Sequence, residues 1–179
     1  LKRMQEQEEI ADSLATADLM TLTVGGNDIR KVIINNLTDL TSLSATSFVQ
    51  PAKKYSARLE QIIELARAEN ADLPIYVLGI YNPFYLSFPE LTEMQTIVDN
   101  WNETTEETVE QYDNVYFVPI NDLLYKGIDG EEGISADGGG NATVNDALTT
   151  EDYFHPNNVG YEIMKQAVLE KIDETKDEW

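Results

Sequence analysis

The sequence predicts an α/β protein, a three-layer α/β/α sandwich built on a parallel sheet. Three observations carry this expectation. Short β-rich segments alternate with longer stretches whose apolar residues recur at helical spacing. The run Ile75-Tyr76-Val77-Leu78-Gly79-Ile80 is apolar without alternation, as a strand covered on both faces requires. Three polar motifs, Gly25-Gly26-Asn27-Asp28, Tyr81-Asn82-Pro83-Phe84 and Asn121-Asp122, each follow a strand, and open parallel sheets bind ligands beyond the carboxyl ends of their strands.

Taken in order, residues 1–13 read as a charged helix and 18–24 as a strand that stops at Gly25-Gly26. Residues 42–47 read as a Thr/Ser-rich loop. Leu59, Ile62, Ile63 and Ala66 place one face of a helix over 55–69, with Ser56 as its cap. Pro74 leads into the strand 75–80. A longer helix over 89–112 carries Leu91, Met94, Ile97, Val98 and Trp101 on its inner stripe, and 115–120 form the next strand. After a loop rich in Gly, Asp and Asn at 127–145, a closing helix starts near Asn158 and runs through Ile163, Ala167, Val168 and Ile172. Parallel strands joined by right-handed crossovers put such helices on both sheet faces.

The 179 residues, 42% of them hydrophobic, suffice for one substantial core, and no linker divides them, so one domain over 1–179 is expected. Twelve basic against thirty-three acidic residues give a formal charge of −21. That charge repels phosphate backbones and anionic lipid surfaces, so nucleic acid is not an expected partner. No apolar run approaches the ~20 residues of a membrane span. With no cysteine there is neither a disulfide nor a thiolate metal site. Asp129, Glu131, Glu132 and Asp137 lack the spacing of a calcium loop, so the segment around them reads as a solvated loop able to cover a site as a lid. Glycosylation-type triplets begin at Asn36, Asn102 and Asn141 and are assigned no function.

Chemistry concentrates near the carboxyl end. His155 is the only histidine, and Asp152, three residues upstream across a turn, is spaced to reach its Nδ1 and fix the tautomer of a general base. A polar surface histidine is the plain structural alternative. Gly25 and Gly26 allow backbone close to a ligand, and the Asn27 amide offers an uncharged donor of the kind an oxyanion needs. Asp28 reads as the N-cap of the next helix. Tyr81, Phe84, Tyr85, Leu86 and Phe88 form an aromatic loop suited either to lining a pocket or to covering the core.

Thr23-Val24-Gly25-Gly26-Asn27-Asp28, followed far downstream by Asp152-Tyr153-Phe154-His155-Pro156-Asn157 and Gly160-Tyr161, resembles two conserved blocks of the SGNH hydrolases, the GDSL-type lipases and esterases, in order and spacing. The resemblance covers essentially the whole chain and implies their flavodoxin-like fold. It also implies a serine ester hydrolase in which His155 is the base, Asp152 its orienting partner and Asn27 an oxyanion-hole donor. Gly26, Tyr81, Asn82 and Phe84, at the same expected rim, are the candidate substrate contacts. Neither a metal nor an organic cofactor is implied.

The family's nucleophile lies in a Gly-Asp-Ser block that this sequence lacks, as it lacks the block supplying a second, glycine oxyanion donor. Ala11-Asp12-Ser13-Leu14 imitates the order, but no strand precedes it, and Ser13 reads as a helix-terminating serine. Serines 42, 44, 47, 56, 87 and 135 do not follow a buried strand directly. The expectation is a chain that starts inside its domain, without the first strands and the nucleophile, and is inactive alone. Its first strand would then lie open at a sheet edge and seek the protein's own N-terminal segment or a second copy. The alternative is a noncatalytic α/β module that binds carbohydrate or protein at the same rim. The expected location is extracellular or at a bacterial cell surface, although the composition suits the cytoplasm as well.

Overall fold

A computed structural model describes residues 2–35, 44–129 and 142–179. Its framework is a parallel sheet of three strands, β1 (Met20–Thr23), β2 (Ile75–Leu78) and β3 (Val115–Val118), in the order β1-β2-β3. Register aligns Met20 with Ile75 and Val115, and Leu22 with Val77 and Phe117. Because successive side chains in a strand point to opposite faces, β2 serves two cores at once. Ile75 and Val77 enter a cluster with Tyr55, Leu59, Ile63, Ile97, Val98 and Trp101; Tyr76 and Leu78 enter a second with Leu124, Met164 and Ala167. All four β2 residues are buried, which explains their unbroken apolar sequence.

The first face is covered by α3 (Gly26–Asn35), α4 (Ala45–Glu69) and α5 (Glu93–Val109), and the second by α6 (Asn121–Leu124) and α7 (Asn158–Thr175). The chain is therefore a three-layer α/β/α sandwich. Ile63 and Ala66 on α4 and Ile97, Val98 and Trp101 on α5 are shielded almost completely, so the stripes read from helical spacing are the ones that pack. Each such aliphatic side chain contributes about 1.5–3 kcal/mol on burial.

Several boundaries differ from the expectation. The single helix over 1–13 is two, α1 (Lys2–Glu6) and α2 (Glu8–Ala15), separated by an extended Gln7; neither proline nor glycine marks the break. Helix α4 starts ten residues before Tyr55 and carries Pro51 inside it, so Ser56 caps nothing. Its hydroxyl instead pairs with Thr108 Oγ1 on α5 at 2.8 Å. Proline in a helix removes one backbone bond, and the burial of Phe48 upstream of it supplies packing that holds the first turns in place. Asp28 is not an N-cap: α3 begins at Gly26, and the Asp28 carboxylate in its first turn accepts from Arg58 Nη1 at 3.0 Å.

Strand β1 lies at the sheet edge, and among the described residues nothing pairs with its outer side. Met20 and Leu22 are half-buried, whereas Thr21 and Thr23 are exposed on the other face. No helix among the described residues is long and apolar enough to cross a membrane.

Candidate active site

The end of β1 delivers the chain into a tight turn. Gly25 takes φ +105°, a region that side-chain-bearing residues rarely adopt, and its carbonyl accepts the Asp28 and Ile29 amides at 2.9 and 3.2 Å, starting α3. Beneath it lie Tyr55 and Trp101, whose rings are 4.9 Å apart. A Cβ on Gly25 would stand 2.7 Å from Trp101 Nε1, so glycine is needed for space as well as for conformation. That indole nitrogen is buried without a hydrogen-bond partner among the described residues. Burial also raises the Tyr55 phenol to about 12, and Tyr55 accepts from the Thr105 hydroxyl at 3.2 Å. On this aromatic floor the turn presents Asn27 outward in the first turn of α3, exposed.

The histidine loop is built with equal economy. Asp152 divides its carboxylate: Oδ1 accepts the backbone amides of Phe154 (2.9 Å) and His155 (3.0 Å), while Oδ2 lies 2.5 Å from His155 Nδ1. Tyr153, between them, occupies the left-handed region at φ 56°, which folds the loop back tightly enough for one carboxylate to reach all three groups. The ring hydrogen bond, then the two backbone donors, hold Asp152 ionised with its pKa lowered to about 2. An ionised Asp152 accepting from Nδ1–H leaves Nε2 with the lone pair that a general base uses. Flanking bonds pin this arrangement: Thr149 N–H donates to the His155 carbonyl at 2.8 Å, and Asn157 N–H to the Ala147 carbonyl at 3.0 Å. The Asn157 side chain also caps α7, accepting from the Val159 and Gly160 amides.

Both motifs line one cavity of about 410 Å³, with Gly25, Gly26 and Asn27 from the β1 turn and Phe154, His155 and Tyr161 from the other side. Its floor comes from the chain just past β2 and β3, at Gly79, Ile80 and Ile120, so it sits beyond the carboxyl ends of the strands. The imidazole is 67% exposed, which makes the cavity an open cleft.

The remaining expected residues separate into distinct roles. Tyr81 lines the cavity, and its hydroxyl donates to the Phe154 carbonyl at 2.7 Å. Asn82 does not line it; fully buried, its side-chain carbonyl accepts the Phe84 amide, and its backbone N–H donates to Asn121 Oδ1 at 2.9 Å, joining the loop after β2 to the start of α6. Phe84 lies beside the cavity, edge-on to Phe88 and Phe154. Ser13 is on the exposed face of α2, donating to the Glu9 carbonyl, and no described serine lines the cavity. Ser42, Ser135, Glu131, Glu132, Asp137, Asn36 and Asn141 lie outside the described residues. Among the described residues no group of acidic or histidine side chains is placed to hold a metal ion.

Three contributors escaped the sequence reading. Trp101 registered as core and Asn157 only as part of a motif. Asn102, noted only as a glycosylation triplet, accepts the Ile80 amide (2.8 Å) and donates to the Ile80 carbonyl (2.9 Å), fixing the backbone beneath the cavity. The one legible signal was the residue type at Asn157, a favoured helix cap placed just before a helical pattern.

Comparison with known proteins adds a common theme. The model of the GDSL-like lipase/acylhydrolase family matches residues 1–163. The uncharacterized protein YpmR of Bacillus subtilis (strain 168) is 28% identical over 167 residues, 93% of this chain and 58% of that protein. The chain thus spans somewhat more than half the length of this curated relative. Among solved structures, the lipase Lip_vut3 from a goat rumen metagenome aligns with a TM-score of 0.69 at 17% identity, covering 92% of this chain and 69% of its own. A family 3 carbohydrate esterase of Clostridium thermocellum aligns at 0.51, also at 17% identity, covering 94% and 66%. At these identities the likeness is one of fold.

Proposed function

The chain belongs to the GDSL-like lipase/acylhydrolase family, and on that premise we propose that it is the base-and-oxyanion portion of a serine ester hydrolase. The observation that carries the reading is the 2.5 Å contact between His155 Nδ1 and Asp152 Oδ2 on the rim of the cavity that Asn27 also lines.

In this mechanism a serine attacks the ester carbonyl while His155 Nε2 takes its proton. The Asn27 amide donates to the developing oxyanion, and Asp152 stabilises the imidazolium. Collapse of the tetrahedral species expels the alcohol, protonated by His155. Water, deprotonated in turn by His155, then cleaves the acyl-enzyme. The serine is supplied by sequence preceding residue 1, consistent with a cavity that no described serine lines and with a β1 edge left unpaired. By itself the chain is inactive, because loss of a triad member leaves only residual catalysis. Its β1 edge is covered by the protein's own N-terminal segment or by a second copy; a monodisperse monomer of residues 1–179 in light scattering contradicts that.

The competing reading, a noncatalytic binder of carbohydrate or protein, is favoured by the absence of a serine from the cavity among the described residues. The full-length protein separates the two. A hydrolase is labelled by a serine-reactive phosphonate on a residue upstream of this chain and cleaves p-nitrophenyl esters. Neither labelling nor hydrolysis leaves the binder.

A further inference from the structure

The Asn121-Asp122 pair, one of the three polar motifs expected at the rim, lines no part of the cleft. Asn121 instead belongs to a closed ring of side chains that ties α5 and α6 to the loop after β2. On α5, Asp99 Oδ1 accepts from Gln95 Nε2 at 3.0 Å and from Asn121 Nδ2 at 3.4 Å. With their NH2 groups turned to Asp99, both residues aim their side-chain oxygens at Asn82. Gln95 Oε1 accepts the Asn82 side-chain N–H at 3.3 Å, and Asn121 Oδ1 accepts its backbone N–H at 2.9 Å. The Asn82 side-chain oxygen is thereby left facing the Phe84 amide, which donates to it at 3.0 Å. An ionised carboxylate only accepts, so Asp99 sets the direction of every bond in the ring. Asn82 and Asn121 are buried, where a donor or acceptor without its partner is costly, and the ring therefore holds or yields as a unit.

The loop that the ring grips touches the residue before His155 twice. Tyr81, immediately ahead of Asn82, donates its hydroxyl to the Phe154 carbonyl at 2.7 Å. Phe84, whose amide Asn82 holds, packs edge-on against Phe154 with ring centroids 5.9 Å apart. We propose that Asp99 is a positioning residue for His155. It orients Gln95 and Asn121, these fix Asn82, and Tyr81 and Phe84 on either side of Asn82 hold Phe154 and with it the loop that carries the imidazole. Asp99 is exposed and does not line the cleft, so it acts through these contacts alone. Its effect on turnover rests on the hydrolase reading; its hold on the histidine loop does not.

The test uses the full-length protein with Asp99→Leu, which removes the acceptor, and Asp99→Asn, whose side-chain oxygen can still accept from both amides. Because Asp99 is exposed, neither substitution opens the core. Hydrogen exchange is read by mass spectrometry on peptides spanning 81–88, 152–157 and, as an internal control, 59–66 of α4. Asp99→Leu is expected to speed exchange in the first two by about fivefold or more and to leave the control unchanged, the pattern of a local opening. Asp99→Asn should restore most of the protection. With p-nitrophenyl acetate, Asp99→Leu should lower kcat by about tenfold and change KM by less than about twofold, because a misplaced base slows the chemical step more than it weakens binding. Asp99→Asn should recover most of that loss. Exchange at 152–157 that keeps the wild-type rate, or rises together with the control, overturns the proposal, as does an undiminished kcat in Asp99→Leu. A wild type that cleaves no ester and takes up no serine-reactive phosphonate overturns the hydrolase reading instead, and exchange alone then decides whether Asp99 holds the histidine loop.

Discussion

Tyr81 donates its hydroxyl proton to the carbonyl of Phe154 at 2.7 Å, linking the chain just past β2 to the residue before His155. Burial, then the proximity of Tyr161 and Asp152, raises the phenol well above its ordinary value, so it remains a donor across the working pH range. The sequence suggests Tyr81 as a substrate contact; the structure shows it tied to the histidine loop through the Phe154 carbonyl. Tyr81→Phe strands a part-buried carbonyl, which costs about 1–3 kcal/mol. The expected result is a melting temperature lower by several degrees and, if the full-length protein is the proposed hydrolase, a kcat reduced more than KM is raised. Unchanged kcat with a lowered melting point would reduce Tyr81 to a packing role.

Asn27 stands exposed in the first turn of α3, and the proposed mechanism uses its amide as an oxyanion donor. Removing one oxyanion donor typically costs about 2.7–4 kcal/mol of transition-state stabilisation, so Asn27→Ala in the full-length protein should lower kcat by about a hundredfold or more. Steady-state ester hydrolysis measures it, and a loss below about threefold removes Asn27 from the mechanism.

Neighbouring glycines are expected to respond in opposite directions. Gly25→Ala forces a side chain onto φ +105° and into Trp101 Nε1, a strain of roughly 1–3 kcal/mol before the indole moves. Gly26→Ala meets open space at the start of α3 and should be neutral or stabilising by up to about 1 kcal/mol. Thermal unfolding of the two variants side by side checks the ordering; equal melting points contradict it.

The Asp152 carboxylate titrates lower in the folded protein, about 2, than in an unfolded chain, about 3.9. Its contribution to stability is therefore complete above the unfolded value and is lost as pH falls from about 4 through 2. A carboxyl NMR titration should place its midpoint near 2. A midpoint close to 3.9 would mean that the three donors do not converge on it in solution.

The parts of the fold that the sequence made legible are those governed by local period. The strands announce themselves through apolar runs, and the inner stripes of α4 and α5 through helical spacing. His155 and Asp152 were legible because three residues of separation suffice for a turn to join them. What escaped depends on contacts distant in sequence. Asn102 meets Ile80 across 22 residues, and Trp101 lies beneath Gly25 across 76, neither of which a local pattern encodes. Helix α4 begins ten residues ahead of the expected start, because the burial of Phe48 against the core holds the turns upstream of Pro51 in the helix.

The indole beneath Gly25 also makes the protein an optical instrument. Its two tryptophans occupy unlike surroundings: Trp101 is sealed under the turn that carries Asn27, while Trp179 is 41% exposed and donates to the Tyr76 hydroxyl on the opposite sheet face. Trp179→Phe leaves Trp101 as the single tryptophan among residues 1–179, packed against the turn. Its emission is expected to register movement of that turn, so a ligand in the cleft should be readable by fluorescence without a coupled reaction or a label.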